Sequence, residues 1–251
     1  MKKYLLLFVM LVPVIMLSQG LPTANNIGFS SSKHFDVPSG NRSVPPGTLV
    51  WSQLPLCDNA YACQSDVVYP FDAQSADDFM FDVAPGQITA VRWWTIWWNP
   101  ETYSAPASFN IIIYSDNSCS PGSIAGTWSI PFANANEDAG CSVYFPSREY
   151  WATLNPPFVP VSGQHYWIVT QPVMTFPPQT GTTSAVTDNL CTAKQNFPLI
   201  GIYWADLATD LAFELYSGDA PPLETPVSSW ALVLGGVLIA AAVFMRYRRI
   251  S

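Results

Sequence analysis

The sequence predicts an all-β fold, two packed antiparallel sheets forming a sandwich. Three observations carry this. Short runs rich in aromatic and β-branched residues recur along the middle of the chain, the segments between them carry Pro, Gly, Asn and Asp turn signals, and 23 prolines leave no room for a long amphipathic helix. Between residues 49 and 218 the apolar runs read as strands at 78–83 (DFMFDV), 88–98 (ITAVRWWTIWW), 108–114 (SFNIIIY) and 142–145 (SVYF). Further runs follow at 150–154 (YWATL), 165–171 (HYWIVTQ), 200–204 (IGIYW) and 210–216 (DLAFELY). A domain of this size buries enough apolar surface to fold as one unit.

The tryptophan-rich run at 88–98 is informative by its period of two. Val91, Trp93, Thr95 and Trp97 point one way, and Arg92, Trp94, Ile96 and Trp98 the other. Both faces are apolar, which predicts a central strand with one face in the core. The other face is either covered by loops or offered to a ligand, with Trp94 and Trp98 as the residues that would stack on sugar rings.

Before the sandwich, residues 1–20 read as an export signal. Lys2 and Lys3 precede an apolar stretch from Tyr4 to Leu17, and Ser18-Gln-Gly20 offers small residues for cleavage; an uncleaved membrane helix is the alternative. Residues 21–48 are Ser, Asn, Gly and Pro rich and read as a flexible leader. After the sandwich, 219–229 reads as a linker, 230–245 as an apolar helix of roughly 24 Å, and 246–251 as a basic tail. Arg246, Arg248 and Arg249 at the end of the apolar run predict a cytoplasmic C-terminus and an outward-facing domain.

Charge and cysteine usage agree with that address. Between the two apolar segments the strong bases are Lys33, Arg42, Arg92, Arg148 and Lys194, against all 18 carboxylates of the chain. Nucleic acid is thereby excluded as a partner, since a phosphate-binding surface must be basic. Cys57, Cys63, Cys119, Cys141 and Cys191 all lie in the predicted exported part, where disulfides persist. The expected pairs are Cys57 with Cys63 and Cys119 with Cys141, leaving Cys191 over. Among five cysteines other pairings remain open.

Candidate sites are few. Asp77 and Asp78 open a predicted strand, so their side chains project to opposite faces. One of them could hold Ca²⁺ with a loop carbonyl, or simply tie the backbone of the turn. For a hydrolase, Asp82, Glu101, Glu149 and Glu214 could supply two carboxyl groups, but no spacing selects a pair. A serine triad would need His34 or His165, and no Gly-x-Ser-x-Gly elbow is present. His165 reads as a structural imidazole, and no catalytic constellation is expected.

Three groups of segments taken in order carry a resemblance: QSADDF at 74–79 before the tryptophan strand; FNIIIYSD at 109–116 before CSPG at 119–122; and SGQHYWIV at 162–169 with DLAFEL at 210–215. Together they resemble a family of secreted β-sandwich proteins that carry bacterial C-terminal sorting signals of the PEP-CTERM kind. The resemblance covers residues 54–218 and the tail. It implies a jelly-roll-like extracellular module without known catalysis. It also implies an exosortase-type membrane protease that recognises the tail motif and releases or re-anchors the protein at the envelope. In place of Pro-Glu-Pro the chain has PVSSWA at 226–231, with Pro226, Val227, Ser228 and Trp230 as the motif residues, closer to the variant signals of sister sorting enzymes. A plain, uncleaved anchor is the alternative.

The expectation is therefore a non-catalytic, envelope-anchored or released surface protein that works by adhesion or ligand binding. An extracellular polysaccharide is a candidate ligand. A carbohydrate-binding module and a secreted polysaccharide hydrolase are the alternatives.

Overall fold

The computed structural model describes residues 43–66, 68–69, 72–142, 145–186 and 190–218. The predicted signal, nearly all of the leader, the linker, the apolar helix, the basic tail and the sorting residues Pro226, Val227, Ser228, Trp230, Arg246, Arg248 and Arg249 lie outside them. No helix among the described residues is long and apolar enough to cross a membrane.

The fold is all-β. Its strands are β1 (Thr48–Gln53), β2 (Pro55–Ala62), β3 (Gln64–Ser65), β4 (Asp72–Met80), β5 (Gln87–Trp98), β6 (Ser108–Asp116) and β7 (Pro121–Pro131). They are followed by β8 (Asn136–Ala139), β9 (Ser147–Phe158), β10 (His165–Val173), β11 (Gln179–Ala185), β12 (Lys194–Phe197), β13 (Ile202–Asp206) and β14 (Phe213–Gly218). In the first sheet β9 runs along one edge of β5 and carries β8 outside it, while β14 and β11 share the other edge and carry β1 and β2. In the second, the order is β13, β12, β4, β10, β6, β7, with β3 wedged where β4 and β10 part.

The tryptophan strand is central, as its two-sided apolar pattern predicts. Val91, Trp93 and Trp97 face inward and pack with Tyr150, Phe213 and Leu215 of their own sheet against Phe79, Phe109, Ile111, Ile113 and Ile168 of the other. Trp93 sits 5.0 Å from Phe109 and 5.8 Å from Tyr150, ring centre to ring centre. Such aromatic contacts add to area burial and fix how the two sheets meet.

Several boundaries move. The run at 142–145 is not a described strand: Ser142 and Phe145 lie in a loop, where the Ser142 hydroxyl accepts the Phe145 N–H. Residues 198–200 form a 3₁₀ turn ending at Gly201 with φ 77°, so β13 begins only at Ile202. Several strands, β7 and β11 among them, carry no apolar-run signal. β7 (PGSIAGTWSIP) exposes alternate small and polar residues at an edge, and β11 (QTGTTSA) is built of Thr, Ser and Gly although it is almost wholly buried. Its hydroxyls find backbone partners: Thr180 Oγ1 donates to the Cys63 carbonyl at 2.9 Å and Thr183 Oγ1 to that of Asn59 at 3.0 Å. Gly181 lets β2 and the Trp98 ring close in, since a Cβ there would lie 2.3 Å from the Tyr61 carbonyl oxygen and 2.6 Å from the indole.

Contacts with the sandwich begin before Leu49. The Ser43 carbonyl accepts from Arg92, and its hydroxyl donates to Asp138 and accepts from the Trp151 indole at 2.8 Å. The last residues assigned by sequence to the leader are thus stitched to β5, β8 and β9.

The cysteine pairing differs from expectation. The disulfides join Cys57 to Cys141 and Cys119 to Cys191, with Cα–Cα distances of 5.5 and 5.6 Å, and Cys63 is the free thiol. Cys57 and Cys63 are drawn to different faces: Cys57, near the start of β2, reaches Cys141 outside the first sheet, whereas Cys63 follows the end of β2 and packs with Trp167 on the second. Cys119 turns out on the outer face of the second sheet, bonded to a cysteine that packs with Trp167, whereas Cys141 packs on Trp94 outside the first. The sandwich itself separates those two. Cys63 is buried, its sulfur 3.5 Å from the Thr170 carbonyl, and burial pushes the thiol pKa up. Iodoacetamide is therefore expected to leave the native protein unlabelled and to add one carbamidomethyl group after unfolding without reductant, as read by intact mass. Labelling of native Cys63 would contradict this burial.

Candidate functional site

Three polar clusters stand out, each set by strand register. The first lies on the outer face of the second sheet. Strand β10 runs between β4 and β6, which places His165 beside Asp78 of β4 and Asp116 of β6. His165 Nε2 is 2.5 Å from Asp78 Oδ2, and Nδ1 is 3.4 Å from Asp116 Oδ1. Asp116 also accepts the Trp167 indole N–H at 2.8 Å, and the His165 ring lies tilted 5.6 Å from that indole. Asp116 Oδ2 further accepts the Cys119 amide at 3.3 Å, tying the β6–β7 turn. Cys191 Sγ, in its disulfide with Cys119, reaches the same cluster.

The second cluster is on the outer face of the first sheet. Arg92 Nε lies 3.0 Å from Glu149 Oε1, and its Nη1 is 2.9 Å from Glu214 Oε2. Pairing explains the convergence: Glu214 is opposite Arg92 on β14, and Glu149 is opposite Trp94 on β9. Trp94 donates its indole N–H to Glu149 at 3.0 Å, and Tyr216 donates its hydroxyl to Glu214 at 2.6 Å. All three charged side chains are buried.

The third cluster is inside the sandwich. Asp77 projects inward, accepting the Leu211 amide at 2.6 Å and the Asp78 amide at 2.9 Å, and so ties the second sheet to the segment entering β14. Burial holds its carboxyl well above the usual carboxylate range; the Leu211 amide works against this rise, and the neighbouring Asp210 carboxylate adds to it. A carboxyl that binds its proton more tightly when folded contributes most below its ordinary value of 3.8 and loses that contribution as pH climbs toward the folded value. Asp77→Asn should accordingly gain on the wild type as pH rises from about 4 to 7, by at most about 1.4 kcal/mol per unit. Parallel urea melts across that range check it, and a constant gap would refute it.

The predicted site residues thus fare differently. Asp77 and Asp78 do face opposite ways, as alternation requires, so they do not meet at a common ion. Asp78 is joined by His165 and Asp116, of which the sequence marks the first only as structural and the second not at all. Trp94 is buried at 2% exposure, packed with Ala185, Ala212 and Cys141, and offers no stacking face, while Trp98 is half-buried over Gly181. Glu149 and Glu214 meet through Arg92, whereas Asp82 and Glu101 are exposed and belong to none of the three clusters. A lone arginine facing outward in a tryptophan strand is the signal that could have located the second cluster, since a buried charge must find a counter-charge. Comparison with protein-family models, with curated proteins and with solved structures finds no match to this chain.

Proposed function

We propose that this chain is a non-catalytic surface protein of the bacterial envelope, a jelly-roll-like sandwich exported by its N-terminal segment. It is held by its C-terminal apolar helix, or released after exosortase-type processing, and acts through adhesion or ligand binding. The observation that carries the reading is the pair of disulfides between distant parts of the chain, a cross-linking pattern that persists in oxidising, extracytoplasmic surroundings. The engagement of the buried acids supports the non-catalytic part. Glu149 and Glu214, the carboxylates that come closest to a hydrolase pair, are locked on Arg92 and shielded from solvent. A general acid needs access to its substrate.

The test is the intact mass of the native protein from membrane and from culture fluid. A mass ending before Trp230 fits processing at the tail, and a mass retaining Arg249 fits a permanent anchor. A cytoplasmic protein with five free thiols would refute the reading. A carbohydrate-binding role narrows to Trp98, since Trp94 is buried. Binding to an extracellular polysaccharide lost on Trp98→Ala would favour it, and binding to no glycan would remove it.

A further inference from the structure

We propose that Asp78, His165 and Cys191 form a zinc site, and that the Cys119–Cys191 disulfide and a bound Zn²⁺ are alternative states of the same residues. One carboxylate oxygen of Asp78, one ring nitrogen of His165 and the Cys191 sulfur all lie within 4.8 Å of one another. Ligand atoms at about 2.0–2.3 Å from a tetrahedral zinc are separated by about 3.3–3.8 Å. Closing the widest gap by about 1 Å and opening the 2.5 Å contact between Asp78 Oδ2 and His165 Nε2 by about as much are within the reach of side-chain rotation and complete the set.

A second observation points to a ligand. The Asp78 side chain is wholly buried, yet among the described residues its Oδ1 has no hydrogen-bond partner. A buried carboxylate oxygen left without a donor is costly, and a cation is the partner that this position lacks. The surroundings also meet the outer requirements of a metal site. Nε2 is the ring nitrogen of His165 on the side of Asp78 and is therefore the ligand, and the other, Nδ1, faces the Asp116 carboxylate at 3.4 Å. That arrangement orients a ligating imidazole and raises its basicity. His165 and Asp116 are partly exposed, which gives the ion a path in.

The donor set selects the metal. Thiolate and imidazole favour zinc over calcium, and three protein ligands leave a fourth position for water. The site differs from the calcium site considered at Asp77 and Asp78, because Asp77 points into the sandwich. While Cys191 is bonded to Cys119 its sulfur is not a thiolate. Opening the disulfide takes two electrons and two protons from a dithiol, which itself becomes a disulfide, and yields Cys119 and Cys191 as thiols. Zinc binding then displaces the Cys191 proton to solvent. The charges of Zn²⁺, the Asp78 carboxylate and the Cys191 thiolate cancel, which suits a buried position.

The experiment uses the full chain, purified in detergent, with Co²⁺ as a spectroscopic probe and Zn²⁺ competed against a chromogenic chelator. Cys119→Ser frees Cys191 without reductant and is expected to bind one Co²⁺, with tetrahedral visible bands and a thiolate-to-cobalt charge-transfer band. The oxidised wild type should lack that band. Cys119→Ser/Cys191→Ser, which keeps Cys63, should lose it, and His165→Gln or Asp78→Asn in the Cys119→Ser background should weaken Zn²⁺ at least about tenfold. Should Cys119→Ser fail to fold, wild-type protein reduced with a phosphine serves instead: Zn²⁺ is expected to slow iodoacetamide labelling of Cys191, read by peptide mass. A band that survives loss of Cys191, zinc affinity equal in oxidised wild type and Cys119→Ser, or labelling of Cys191 indifferent to zinc would each overturn the proposal.

Discussion

Arg92→Ala is expected to destabilise the domain by about 3–5 kcal/mol, the cost of breaking a buried ion pair from one side. The guanidinium spans two strands, touching Glu149 of β9 and Glu214 of β14, and a further Nη2–H donates to the Ser43 carbonyl at 2.9 Å. Its removal leaves two carboxylates of like charge beside an empty volume, with Trp94, Tyr216 and Ser52 among the donors that stay. Urea unfolding at neutral pH measures the loss. Replacing all three charges at once, as Arg92→Met with Glu149→Gln and Glu214→Gln, should cost far less than Arg92→Ala. A loss below about 1 kcal/mol for Arg92→Ala would mean that water reaches the network and screens it.

Removing Cys57–Cys141 by the double change to serine should cost about 2–5 kcal/mol, near the upper end of what single cross-links contribute. The bond closes a loop with a sequence separation of 84, and Cys119–Cys191 one of 72. In the chain-entropy view each is worth about 4.5 kcal/mol, because long loops lose the most freedom in the unfolded state. Thermal or urea melts of Cys57→Ser/Cys141→Ser against wild type give the value. A non-reducing peptide map should recover the peptides of residues 57 and 141 joined, and those of 119 and 191 joined. Peptides linking 57 to 63 would refute this pairing.

Much of the sandwich is legible in the sequence because its central strands are written in bulky residues. The alternation of residues 91–98 gives the inner and outer faces of β5 there, while a bulge before Ala90 turns Ile88 into the core as well, and the runs around 108–114 and 165–171 locate β6 and β10. Among the strands that escape is β11, whose Thr, Ser and Gly residues read as loop. Their burial is stabilised by hydrogen bonds to strand β2, which no periodicity in β11 itself can announce. The disulfides escape for a related reason. Spacing along the chain favours short loops, whereas bonding is decided by which outer face each cysteine reaches, and that depends on strand pairing. For the polar clusters, Glu149 and Glu214 stand out as acids but not as partners. Only the register of β14, β5 and β9 brings them to Arg92. Likewise Asp78, Asp116 and His165 lie far apart in sequence and meet because β10 runs between β4 and β6.

The two disulfides are interleaved, Cys119 falling inside the loop closed by Cys57 and Cys141, and Cys191 outside it. Under tension applied at the two ends of the domain, the covalent path runs from Cys57 across to Cys141, back along the chain to Cys119, and across again to Cys191. Most of the sandwich is therefore shielded from the load. β1 and β14 are antiparallel neighbours whose outer ends, Thr48 and Ser217, are paired. Pulling there would peel their ladder one rung at a time, and the length drawn out would be limited to the residues outside the bonds, before Cys57 and after Cys191, and to the stretch between Cys119 and Cys141.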